Sequence, residues 1–156
     1  MSTVDDLITL LQQDYQSLNT LHELLMQEKD LLRDGEAQSL ERLTKEKSVL
    51  LEQVREQAKS KIRLLVQMGY RPEQGSPSRY IQASGMTPLI EAWQAAEAAL
   101  TACQELNSTN SRVVYHLQQR LGRLTDIIRG SSAQAKLYGA SGEQTSVGQR
   151  NKLASA

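Results

Sequence analysis

The sequence has 156 residues with 18 basic and 18 acidic side chains, no Phe, one Trp and five Tyr. That is the size of one domain plus a tail, and with so few aromatics the core must be built from Leu, Ile, Val and Ala, which suits packed helices and disfavours a sheet. Basic residues with few aromatics among them argue against nucleic-acid binding; with no basic leader and no apolar stretch of membrane-spanning length, a cytoplasmic protein without membrane insertion is expected.

The first helix is expected over about residues 4–33, with Ser2 or Thr3 as its cap and Asp5 and Asp6 in a first turn that favours carboxylates. Leu11, Leu18, Leu25 and Leu32 recur at seven-residue intervals, flanked by Leu7 and Leu21, and form a seam. Asp34-Gly35 then breaks the helix, since Gly supplies the left-handed conformation that closes a C-terminus. A second helix over about 36–68 presents Leu40, Leu43, Leu50, Val54, Ala58, Ile62 and Leu65. So short a link makes it antiparallel to the first. Its mixed charges, among them Glu52, Glu56, Arg55 and Lys59, read as a solvated face.

Residues 69–87 form a connector rich in Pro and Gly, with one helical turn expected around Ser78 to Ala83. Tyr70 and Tyr80 are expected to pin it to the bundle. Thr87 is then expected to cap a third helix over about 88–129, with Pro88 at its first position and Arg129-Gly130 as its stop. One register of this helix reads Trp93, Leu100, Asn107, Val114, Leu121 and Ile128. The other reads Leu89, Ala96, Cys103, Asn110, Leu117 and Leu124. The phase passes unshifted through Asn107 to Ser111, five poor helix formers, so one continuous helix is expected there. Cys103 occupies a seam position and reads as a buried structural thiol. From residue 131 the chain turns small and polar, the composition of a flexible tail (131–156) beyond a helical bundle (1–130).

Chemistry is conspicuously thin. His22 and His116 lie on different helices, and neither follows an acid by three residues, so the paired Glu-x-x-His pattern of di-iron bundles is absent. No zinc-protease, paired-cysteine or phosphate-loop motif occurs. No enzyme, metal or cofactor is expected. The fold class that follows is all-α: an antiparallel three-helix bundle or coiled coil with a long third helix and a mobile C-terminal tail.

Helix lengths point to a surface. At about 1.5 Å per residue the first two helices span roughly 45 Å and the third roughly 60 Å. The last turns of the third are therefore expected to project, leaving Leu117, Leu121, Leu124 and Ile128, widened by Val113 and Ile127, as a partner-binding ridge. Cover by the connector, the tail or a second copy of the chain is the alternative. Asn107 and Asn110 read as polar groups that fix helix register, with contacts to a ligand chain as the second reading. A structural, homo-oligomeric coiled-coil scaffold or adaptor is the competing function.

The ordered elements Glu28-x-x-x-Leu32, Asp34, Leu40-x-x-Leu43-x-x-x-Lys47-x-x-Leu50-Leu51, Trp93, Cys103-x-x-x-Asn107-x-x-Asn110 and Tyr138-Gly-Ala-Ser-Gly142 resemble the FlgN family of flagellar type III export chaperones. Ser111 stands where that pattern often has Gly. The resemblance covers nearly the whole chain. It implies a chaperone that binds the C-terminal helical segment of the hook–filament junction proteins, prevents their premature association and delivers them to the export gate. On that likeness the seam from Leu117 to Ile128 would hold the substrate helix, and the tail around Tyr138 would order on binding or contact the gate.

Overall fold

A computed structural model describes the backbone of residues 2–141 and the side chains of residues 2–131. The described residues contain four α-helices and no strand: α1 (Thr3–Asp34), α2 (Ala37–Gln67), α3 (Pro77–Ala83) and α4 (Thr87–Ser141), with a 3-10 turn at Pro72–Gln74. They divide into two units, one through Asn110 and one from Ser111 onward, and α4 contributes to both.

Local chemistry sets the helix ends. Ser2 and Asp5 form a capping box: the Asp5 amide donates to Ser2 Oγ and the Ser2 amide to the Asp5 carboxylate, both at 3.2 Å. The bonds from Ser2 hold the Asp5 carboxyl below its ordinary pKa. At the other end Gly35 takes φ 72°, which lets the Glu36 amide return to the Leu31 carbonyl at 3.2 Å. The chain thereby reverses within two residues.

Two ion pairs fix how α2 returns. Asp14 accepts from Lys61 at 2.8 Å and Glu28 from Lys47 at 3.2 Å. As the residue number rises on α1 it falls on α2, so the two helices are antiparallel. Apolar packing fixes α4 in turn. Leu7 and Leu11 share a cluster with Leu65, Ile81, Leu89 and Ala96, while Leu18, Leu21 and Leu25 share one with Cys103. Numbers rise together, so the first part of α4 runs parallel to α1.

The connector is structured. Ser76 caps α3 through the Arg79 amide, with Pro77 at the first helical position. Ile81 is fully buried in the first cluster. Tyr70 donates to the Gly75 carbonyl at 2.8 Å and Tyr80 to the Met68 carbonyl at 3.0 Å, their rings meeting edge to face 5.4 Å apart.

Three expectations need correction. The Ile90 amide bonds the Met86 carbonyl at 3.0 Å, so Met86, not Thr87, holds the capping position of α4. The face of α2 takes Gln57 and Lys61 in place of Ala58 and Ile62, which are exposed. The seam keeps its seven-residue phase, from Leu43 through Leu50 onto Gln57 and from Lys47 through Val54 onto Lys61. Finally, α4 does not stop at Gly130 but continues to Ser141. A glycine inside a helix costs only about 1 kcal/mol, and the strong helix formers Ala133, Gln134, Ala135, Lys136 and Leu137 follow it. Residues 131–141 of the expected flexible tail are therefore helical, and residues 142–156 lie outside the described residues.

Candidate partner-binding ridge

The seam of α4 changes character along its length. Leu89, Ala96, Cys103 and Asn110, each seven residues after the last, are all buried. The next two members of that register, Leu117 and Leu124, are half-buried and exposed. In the companion register Trp93, Leu100, Asn107 and Val114 are half-buried, whereas Leu121 and Ile128 are exposed. Helix continues without interruption through Asn107 to Ser111, so register is preserved across the change.

The ridge residues come together as their spacing requires. Val113, Leu117, Leu121, Leu124, Ile127 and Ile128 lie at three-, four- and seven-residue intervals, which places them on one face of a helix. Leu121, Leu124, Ile127 and Ile128 are 54 to 64 % exposed, which gathers exposed aliphatic surface on this face of the helix. On the remaining faces Gln119 Nε2 donates to the Tyr115 hydroxyl at 2.8 Å, and the Tyr115 ring meets His116 edge to face at 5.7 Å. Arg112, Arg123 and Arg129 also point away from the ridge by their spacing, so the unit is locally basic. Tyr138 falls on the helical backbone of α4, outside the described side chains, and Gly142 lies outside the described residues.

Asn110 is held among α1 residues. It is 1 % exposed, and its Nδ2 donates to the Leu25 carbonyl and to Glu28 Oε1, both at 2.9 Å. Glu28 also receives Lys47 Nζ at 3.2 Å on both oxygens, so one carboxylate joins α1, α2 and α4. Asn107 is half-buried, and its Oδ1 has no partner among the described residues. Cys103 is buried, which pushes its thiol pKa up and keeps the proton that Sγ donates to the Leu18 carbonyl at 3.1 Å. That is the setting of an inert thiol.

Sequence reasoning missed this polar framework, although a signal for it was present. Asp14 and Glu28 lie seven residues after Leu7 and Leu21, so they are polar members of the α1 seam. Lys61, besides its ion pair, sits 5.4 Å from the Trp93 ring centre, and the Trp93 indole donates to Ser78 and Glu97 at 3.0 Å each. Gln53 and Gln57 both donate to Ser17 Oγ. Among the described residues no group of His, Cys, Asp or Glu is arranged to hold a metal, and no helix is long and apolar enough to cross a membrane.

Searches of curated proteins and of solved structures return no match to this chain. The family model described as FlgN protein matches residues 1–146, which takes in the ridge, the buried Asn110 and the Tyr138-Gly-Ala-Ser-Gly142 segment. The chain belongs to the FlgN family.

Proposed function

We propose that this chain is a cytoplasmic flagellar export chaperone, not an enzyme, built as an antiparallel three-helix bundle whose long last helix carries the substrate site. Its ridge of Val113, Leu117, Leu121, Leu124, Ile127 and Ile128 receives the C-terminal helical segment of a hook–filament junction protein and hands it to the export gate. Family membership supports the chaperone role. The observation that carries the site is the exposure of four large aliphatic side chains in unbroken heptad register.

Covering each of those side chains contributes on the order of 1–2 kcal/mol. Association itself costs about 4–15 kcal/mol, so such a ridge gives a complex that forms and releases, as delivery requires. Asn110 fixes the register of the closed part through Leu25 and Glu28, with Asn107 beside it on the same face. Tyr138, near the end of α4, contacts the export gate.

The double substitution Leu121→Asp, Leu124→Asp is expected to abolish co-purification with the C-terminal segment of a junction protein while far-ultraviolet circular dichroism stays unchanged. Binding that survives it would sink the site. The ridge is also a heptad seam, which favours a second reading: a homo-oligomeric coiled-coil scaffold. Light scattering separates the two, because a stable dimer at low concentration that ignores export substrates supports the scaffold.

A further inference from the structure

Within the ridge one position breaks the apolar pattern. Val113 and Ile127 are fourteen residues apart, and midway between them, where the repeat calls for a third aliphatic residue, stands Arg120. Helical spacing puts Leu117 one turn before it and Leu124 one turn after it, and its own register holds Val113 and Ile127, so Arg120 stands on the flank of the apolar stripe. It is exposed, and it has no hydrogen-bond or ion-pair partner among the described residues. A helix docking along the stripe runs beside this guanidinium and strips part of its water, and a charge desolvated without a counter-charge opposes binding.

We propose that Arg120 is the specificity residue of the ridge: it selects an amphipathic helix that carries a carboxylate at the edge of its own apolar stripe. This rests on the reading of the ridge as the substrate-helix site. The planar guanidinium matches a carboxylate in a bidentate fork, while its stem continues the apolar surface between Leu117 and Leu124. The partner's acid thereby sets register as well as affinity, the role that charged flanking positions play in helix pairing.

The same residue argues against a second copy as occupant. Arg120 lies at the middle of the 113–128 ridge, so a symmetric antiparallel pair that overlays the whole ridge sets Arg120 against Arg120. A parallel pair in register sets it against Thr125 of the other copy. Asp126, the single acid from Val113 to Ile128, falls on the opposite face of the helix. Neither arrangement supplies a carboxylate.

The test measures binding of four synthetic amphipathic peptides to the full chain by fluorescence anisotropy. All share one leucine heptad; three carry Glu, Gln or Lys beside the stripe, and the fourth carries the same Glu residues on its far face, at equal net charge. The wild type is expected to bind the stripe-edge Glu peptide about ten-fold more tightly than the far-face one, the factor equivalent to about 1.4 kcal/mol. Arg120→Gln is expected to erase that difference, and Arg120→Glu to favour the Lys peptide. Equal binding of the two Glu peptides to the wild type, or a preference that survives Arg120→Gln, overturns the proposal and leaves the ridge as the site. If Leu121→Asp, Leu124→Asp binds every peptide as the wild type does, or if no peptide binds the wild type, the ridge reading falls and this proposal with it.

Discussion

The two stretches of the α4 seam are written in one repeat but hold opposite kinds of residue. The closed stretch, Leu89 to Asn110, includes small and polar members, Ala96, Cys103 and Asn110, and all are buried. The open stretch, Leu117 to Ile128, holds the larger aliphatics, and most are exposed. Hydrophobicity alone would rank them the other way. What separates them is whether the chain supplies a matching surface: Leu18 offers Cys103 a carbonyl acceptor, and Leu25 and Glu28 offer Asn110 two. Periodicity identifies the face that packs, and partner chemistry identifies where the partner comes from.

The largest expected effect comes from treating the two stretches alike. Leu65 is fully buried against Leu7, Leu11 and Leu89, so Leu65→Ala should remove about 2–5 kcal/mol from the unfolding free energy, through lost burial and the cavity left behind. Leu121→Ala, at 63 % exposure, should change it by no more than about 0.5 kcal/mol. Urea denaturation followed by circular dichroism checks both. A loss at Leu121 comparable to that at Leu65 would erase the distinction.

A smaller loss is expected in the polar framework. Glu28→Ala leaves Lys47 Nζ and one bond of Asn110 without their acceptor. Breaking a fully buried pair costs about 3–5 kcal/mol, but the Lys47 side chain is 17 % exposed and retains access to water, so about 2–3 kcal/mol is expected. Replacing the pair together, Glu28→Leu with Lys47→Met, should restore most of that stability, since desolvation of both charges is relieved. If the double variant melts as low as the single one, the carboxylate stabilises the closed stretch through Asn110 instead.

The leucine repeat of α1, the reversal at Gly35 and the unshifted phase of α4 were all legible in the sequence, because each follows from residue spacing or backbone conformation within one element. The polar half of the framework was harder to read. Asp14 and Glu28 keep the seven-residue spacing of the α1 seam, but their partners Lys47 and Lys61 lie on another helix, and each charge taken alone resembles the solvated charges around it. The end of α4 is hard to read for a different reason. Gly130 carries a stop signal, yet the helix formers beyond it outweigh the local cost of one glycine. Among the ridge residues, the aliphatic spacing is legible in the sequence, whereas Arg120 gains meaning only beside the exposed side chains around it.

The subtlest difference between the stretches concerns what holds the helix itself. In the closed stretch helical order is reinforced by tertiary packing, whereas residues 113–128 present much of their apolar face to solvent and depend more on intrinsic propensity. Gly122 tests this, because it lies in α4 opposite the ridge and a Cβ built there meets nothing within 4 Å. Gly122→Ala should therefore stabilise the local helix by about 0.8–1.0 kcal/mol without disturbing any contact. Amide exchange across residues 113–128 should slow by about five-fold, while the denaturation midpoint of the closed stretch stays where it was. A midpoint that rises with the substitution would mean that the open stretch unfolds together with the closed one, and that packing holds it as well.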